Sequence, residues 1–241
     1  MLTKEPAMGE RSLADPGTVP SQARSEQAAA LGAPPLVTRT LGTRAYLCTK
    51  RVGDVVLAVA GIVALVPFWL PIALAIRLTS PGAVIFRQKR TGQYGVPFLI
   101  WKFRTMRADA ENILEEVLPP DQPPDRGLIQ IRNDPRVTRI GKLLRAYSLD
   151  ETPQLVNILL GEMSFVGPRP ISREVDDARG LRRLEARPGL TGLWQISGRK
   201  DTDCETMLRL DMGYLEKRGL ALDLMILLRT VPVVLLGKGA R

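Results

Sequence analysis

Hydrophobic and polar residues are distributed unevenly along the chain, and their spacing divides it into segments. Residues 1 to about 40 are rich in Ala, Gly, Pro, Ser and Gln, contain Pro34-Pro35 and show little aliphatic periodicity, which predicts a disordered tail. They lack the ordered charged start, apolar centre and small-residue cleavage site of a secretory signal, so export of the whole protein is not expected. From Val55 to Ile76 the chain is apolar over about the length a bilayer-spanning helix needs. Pro67 and Pro71 inside this run favour a bend. Arg44, Lys50 and Arg51 precede it, and Arg77, Arg87, Lys89 and Arg90 follow. Positive charge marks the cytoplasmic flank of a membrane segment, so basic residues on both flanks favour a segment that dips in and returns. On pattern alone a re-entrant hairpin and a plain span stand level, ahead of a buried soluble helix.

After Pro81 the periodicity changes. Val84-Ile-Phe-Arg-Gln-Lys-Arg90 and Phe98-Leu-Ile-Trp-Lys-Phe-Arg-Thr105 read as two short strands joined by a turn at Gly92 and Gly95. Alternation in the second puts Lys102 and Arg104 on one face, either a pair of site cations or a solvated strand face. Residues 108–117 read as a helix and the proline-rich 118–127 as a loop. Asp134-Pro-Arg136 leads into a helix over 137–146, where Arg139, Lys142 and Arg145 recur every three residues beside an apolar stripe of Ile140, Leu143 and Leu144. A short helix through Leu155, Ile158 and Leu159 stops at Gly161. Residues 171–186 look helical, and 187–199, with Trp194 and Gln195, reads as a glycine-punctuated loop. Leu220 to Leu236 is apolar but carries Asp223, Arg229 and Pro232, which disfavour a second span and suit either an interfacial helix or packing in the protein's own core.

Charge and composition narrow the chemistry. The 241 residues hold 34 Lys and Arg against 25 Asp and Glu, a formal charge of +9 that points to an anionic partner. With no histidine, a Ser-His-Asp triad, a phosphohistidine carrier and a His-ligated zinc site are excluded. Carboxylates become the leading candidates for nucleophilic or acid–base work. Cys48 and Cys204 have no metal-ligand spacing, and a reducing compartment is the simpler expectation. No Gly-x-Gly-x-x-Gly or Walker lysine occurs.

Within Arg145-Ala-Tyr-Ser-Leu-Asp150-Glu151-Thr-Pro-Gln154, two adjacent carboxylates stand where a helix begins. Ser148 with Glu151 has capping-box spacing, and Thr152 with Pro153 can serve as cap and first helical residue; both marks remain open. Either way Asp150 and Glu151 lie near unpaired N–H groups that can bind phosphate. Alone, such a step is an ordinary helix cap. In Ser164-Phe-Val-Gly-Pro-Arg169-Pro170 a stiffened backbone presents one guanidinium, which is either a phosphate fork or an incidental arginine in a turn.

The chain resembles the bacterial sugar transferases, the monotopic phosphoglycosyl transferases. The matching pieces, in order, are Lys50-Arg51 and Asp54; Phe86, Gln88, Arg90 and Gly92; Lys102-Phe-Arg-Thr-Met106; Asp134-Pro-Arg136; Ser148-Leu-Asp-Glu-x-Pro-Gln-Leu155; Ser164 to Pro170; and Arg187-Pro-Gly-Leu-Thr-Gly192 through Ser197-Gly-Arg199. The resemblance implies transfer of a sugar-1-phosphate from a nucleoside-diphosphate sugar, usually a UDP-sugar, to polyprenyl phosphate with release of the nucleoside monophosphate. It implies Asp150 as covalent nucleophile, Glu151 as metal ligand or acid–base partner, and Mg2+ held by Asp150 and Glu151. Lys102, Arg145 and Arg169 are the phosphate-binding candidates. Leu193-Trp-Gln195 looks like the exopolysaccharide and O-antigen hexose-1-phosphate branch.

The implied fold is α+β and mostly helical: a tail over 1–43, a re-entrant membrane helix–break–helix over 44–80, and a cytosolic-face catalytic domain over 81–241 with a short sheet and interfacial amphipathic helices. Val66 stands where a Ser commonly precedes the breaking proline, and Gly53 where an aromatic is common, so the break rests on Pro67 and Pro71. Larger relatives carry four spanning helices and an extra domain ahead of this unit, and a minimal form is expected here. The implied location is the cytoplasmic face of the bacterial inner membrane, with lipid as a partner, no nucleic acid, and a homo-oligomer left open. The competing reading is a non-catalytic, membrane-attached basic module for anionic lipid or nucleic acid; the low aromatic content, 5%, provides no stacking motif for the latter.

Overall fold

The computed structural model describes residues 41–117, 131, 134–171, 182–197 and 204–236. Helix α1, Leu41–Thr79, begins three residues inside the stretch read as a tail; the rest of that tail, the 118–127 loop, Arg199 and most of the helix expected over 171–186 lie outside the described residues. The apolar run is a single helix with Pro67 and Pro71 inside it, rather than the helix–break–helix expected from those prolines. Each proline removes one donor from the ladder and crowds the carbonyl four residues back, which bends a helix without ending it.

Strands β1, Ile85–Thr91, and β2, Pro97–Phe103, pair antiparallel in the expected hairpin, with Phe86 opposite Lys102 and Arg90 opposite Phe98. The expected 108–117 helix shortens to α2, Leu114–Val117, preceded by turns. Helix α3, Arg139–Ala146, is capped by Thr138, whose hydroxyl accepts from the Gly141 N–H at 3.0 Å. A Cβ on Gly141 would stand 2.1 Å from the Thr105 carbonyl oxygen, so glycine lets α3 reach the end of β2. Helix α4, Gln154–Leu160, ends at Gly161 as expected, with φ +83°.

The 187–199 stretch is more regular than a loop. It holds β4, Gly189–Thr191, and α5, Leu193–Ile196. Strand β3, Ser164–Val166, pairs parallel with β4, giving a second two-stranded sheet. Helices α6, Cys204–Lys217, and α7, Leu220–Leu235, close the chain.

Among the described residues, three apolar clusters tie these pieces together. Ala58, Ile62 and Leu65 of α1 pack with Phe98, Ile100, Leu155 and Ile158. Trp69, Ile72 and Ile76, farther along α1, pack with Phe103, Ile140 and Leu144. The third joins Val166, Tyr214, Leu215 and Ile226. Polar pins reinforce α1: Asp54 accepts from Ser164 Oγ at 3.1 Å and the Phe165 N–H at 3.0 Å, and Arg51 donates to the Ile158 and Leu159 carbonyls at 2.6 and 2.8 Å. Lys50 pairs with Asp223 of α7 at 2.8 Å, and Tyr46 and Tyr214 donate to the same carboxylate. Residues on both sides of the prolines therefore pack with residues of β2, while Val56, Val63, Phe68, Leu70 and Leu74 are exposed. Helix α1 is long and apolar enough to cross a membrane. Helix α7 packs into the protein's own core through Asp223 and Ile226, which are buried, and leaves Leu220, Leu224, Leu228 and Val231 exposed.

Candidate active site

The Asp150-Glu151 pair lies in a 3-10 turn, Leu149–Glu151, between α3 and α4. Neither expected cap forms. Ser148 takes the left-handed conformation at φ 54° and makes no side-chain cap, and the Thr152 hydroxyl donates to the Leu149 carbonyl at 2.8 Å instead of accepting from the helix. A non-glycine residue in that region is strained by order 1–3 kcal/mol, and such strain is found where geometry around a site is over-determined. After this turn Glu151 reaches Lys102 of β2, and the charge of Lys102 also acts on Asp150.

Asn157 sets the distance between the two elements. Its Oδ1 accepts from the Trp101 N–H at 3.1 Å and its Nδ2 donates to the Leu99 carbonyl at 2.7 Å, so a fully buried amide takes the place of a third strand along β2. With that register locked, Lys102 Nζ meets Glu151 Oε1 at 2.8 Å. Arg145 comes from the last turn of α3, and its Nε donates to Thr105 Oγ1 at 2.9 Å. The buried Asp134–Arg136 pair, with Arg136 Nη2 2.7 Å from Asp134 Oδ2, sits behind it. Burial lowers the Arg145 guanidinium from its ordinary value, against the pull of Asp150 and Asp134.

Asp150 keeps some contact with solvent, yet its surroundings push its carboxyl up to about 6, first by burial and then by the neighbouring Glu151 charge, against the pull of Lys102 and Arg145. A carboxylate in this state is less solvated than a surface one and is countered by two cations from different elements. Among the described residues no group of three or more acidic, cysteine or histidine side chains is gathered for a metal. Two carboxylates are nevertheless the set Mg2+ uses when substrate phosphates and water complete its shell, and the repulsion between Asp150 and Glu151 is what a cation relieves. The donor set therefore fits Mg2+.

Arg169 is farther out. Its guanidinium lies over the Trp194 ring, 4.8 Å from the centroid, and its charge acts on Arg90 of β1. Its backbone is gripped from behind: Arg183 Nη2 donates to the Arg169 carbonyl at 2.8 Å and pairs with Asp211 at 2.6 Å. Burial pushes the Asp211 carboxyl up to about 6 against Arg183 and the Arg169 N–H.

The structure thus brings Lys102 and Arg145 to the two carboxylates, while the charge of Arg169 acts on Arg90. Arg104, expected to share a face with Lys102, is used elsewhere; its Nη2 donates to the Ser80 carbonyl and hydroxyl at 2.7 and 2.9 Å, tying down the end of α1. Arg139 and Lys142 of the cationic stripe are exposed. Sequence reasoning placed no site role on Asn157, Arg183, Asp211 or Arg90. Asn157 carried a signal, being the one polar residue in Leu155-Val-Asn-Ile-Leu-Leu160. Asp211 carried none, because nothing near it in sequence announces Arg183.

A family model described as bacterial sugar transferase matches residues 45–237. The chain is 39% identical over 198 residues to the exopolysaccharide production protein ExoY of Sinorhizobium fredii, covering 80% of this chain and 88% of that protein. It is 45% identical over 197 residues to the UDP-glucose:undecaprenyl-phosphate glucose-1-phosphate transferase of Caulobacter vibrioides, covering 77% and 69%. It is 38% identical over 214 residues to the undecaprenyl-phosphate galactose phosphotransferase of Salmonella typhimurium, covering 85% of this chain and 44% of that protein.

Proposed function

Because the chain belongs to the bacterial sugar transferase family, we propose that it is a phosphoglycosyl transferase that moves a sugar-1-phosphate from a UDP-hexose to undecaprenyl phosphate and releases UMP. The product would begin the assembly of an exopolysaccharide or related glycan. The observation that carries the site assignment is the desolvated Asp150 carboxylate, faced by Lys102 and Arg145 from two separate elements.

In the proposed reaction an Asp150 oxygen attacks the phosphorus bonded to the sugar, and the bridging P–O bond to the nucleotide breaks. UMP leaves with that electron pair, and the sugar phosphate remains on an acyl-phosphate bond to Asp150. A phosphate oxygen of undecaprenyl phosphate then attacks the same phosphorus, breaking the aspartyl bond and restoring the carboxylate. Lys102, Arg145 and Arg169 bind the phosphates, and Lys102 also holds Glu151 in place. Asp150 and Glu151 would hold Mg2+, which when bound neutralises diphosphate charge as a Lewis acid.

The acceptor is a membrane lipid, and α1 is the element suited to reach it. We read α1 as re-entrant, bent near its two prolines, with the catalytic domain on the cytoplasmic face of the bacterial inner membrane. Support comes from Asp54 on one side and Ile76 on the other, both packed on the same domain. Thiol labelling tests this topology, with exposed Cys48 as the probe before the apolar run and an introduced cysteine after residue 80. Opposite sides would establish a true span.

The reaction is tested with solubilised protein, Mg2+, undecaprenyl phosphate and a panel of UDP-sugars. UMP release with at least one donor is expected. No UMP with any donor would favour the basic binding module instead.

A further inference from the structure

The mechanism above makes no use of Arg90, although it lies beside the site. In the β1–β2 register, Phe86, Gln88 and Arg90 share a face with Phe98, Ile100 and Lys102. Arg90 Nη2 is held by Gln88 Oε1 at 2.5 Å, whereas its Nε is buried without a hydrogen-bond partner among the described residues. Burial and the like charge of Arg169 bring the Arg90 guanidinium down to about 10, with Glu151 acting in the other direction. Two arginines that repel each other, one with a buried unsatisfied donor, form an arrangement that an anion completes. Arg169 is unable to swing away freely, since its guanidinium rests on Trp194 and its backbone is gripped by Arg183.

We propose that Arg90 and Arg169 form the subsite for the donor phosphate that departs as the nucleoside monophosphate, while Lys102 and Arg145 hold the phosphate that is transferred. This rests on the phosphoglycosyl transferase reading. The register supports it: Arg90 pairs with Phe98 and Lys102 with Phe86, so the two cations stand at opposite ends of one hairpin face, with Lys102 on Glu151 and Arg90 toward the turn. In an in-line displacement the leaving oxygen lies opposite the nucleophile, so the second phosphate belongs beyond the first as seen from Asp150. Two guanidinium forks suit a terminal phosphate monoester, which offers several oxygens to bidentate donors.

The test is equilibrium binding of UMP and, separately, of farnesyl phosphate to the full-length protein in detergent, by calorimetry at fixed salt. Arg90→Gln is expected to weaken UMP binding about tenfold or more, the order of a lost charge-assisted hydrogen bond, and to leave farnesyl phosphate within about twofold. Arg90→Lys keeps the charge without the fork and is expected to weaken UMP by a smaller factor, which covers the case where the glutamine variant misfolds. UMP affinity equal to wild type in the folded variants overturns the subsite, as does a loss confined to farnesyl phosphate. Wild-type protein that releases UMP in the donor panel while Arg90 variants bind UMP normally sinks this inference alone. Wild-type protein that neither binds UMP nor releases it sinks the transferase reading as well.

Discussion

Replacing Asp211 with alanine tests how the Arg169 turn is held. Asp211 is 1% exposed and Arg183 3%, and their charged groups meet at 2.6 Å. Removing the carboxylate leaves a guanidinium in a site with almost no water. Breaking one side of such a buried pair costs about 3–5 kcal/mol. For a chain of this size about 1 kcal/mol moves the melting temperature by about 2–4 °C, so a fall of about 6–20 °C is expected. The assay is thermal unfolding in one detergent at fixed pH and protein concentration. Arg183→Met combined with Asp211→Leu is expected to recover most of the loss, because an apolar pair of similar volume carries no desolvation penalty. That double variant still lacks the bond from Arg183 to the Arg169 carbonyl, so it should fold well and show a raised donor KM. The folded Asp211 carboxyl titrates at about 6 against an ordinary 3.8. Its contribution to stability is therefore greatest below about pH 4, declines as pH rises to about 6, and is flat above that. An Asp211→Ala protein that melts within about 2 °C of wild type would mean that the Arg183–Asp211 pair does not hold this turn.

The pH dependence of donor use follows from Asp150, whose carboxyl stands near 6 in the free protein. The nucleophile must be ionised, so kcat/KM for the donor is expected to rise with pH through a midpoint no higher than about 6, moving lower as Mg2+ on Asp150 and Glu151 is raised. Glu151→Gln removes a charge that raises this value and should move the midpoint down. Lys102→Met removes a charge that lowers it; the midpoint should move up, and turnover should fall about a hundredfold, the scale of losing one charge-stabilising donor. Midpoints that move together, or not at all, would contradict the charge arrangement around Asp150.

What the sequence revealed was local. Alternation and two glycines foretold the β1–β2 hairpin, Gly161 foretold the end of α4, and Asp150-Glu151 pointed to the turn whose carboxylates meet the charge of Lys102. Ser148 and Thr152 misled because capping statistics describe ordinary helix starts, and here a left-handed Ser148 turns the chain before α4 begins. Pro67 and Pro71 stand inside one helix rather than at its end, because a proline removes a single donor and can bend a helix without terminating it. Asn157, Arg183 and Asp211 were illegible for a different reason. Their partners are Trp101, Arg169 and one another, brought close only by tertiary folding, so no window of sequence contains the signal.

The most direct test of the central claim is the intact mass of the protein after exposure to donor and Mg2+ without acceptor, followed by peptide mapping. A sugar-phosphate adduct is expected on Asp150, disappearing when undecaprenyl phosphate is added and never forming in Asp150→Asn. An adduct that persists in Asp150→Asn, or that maps to another side chain, would contradict it.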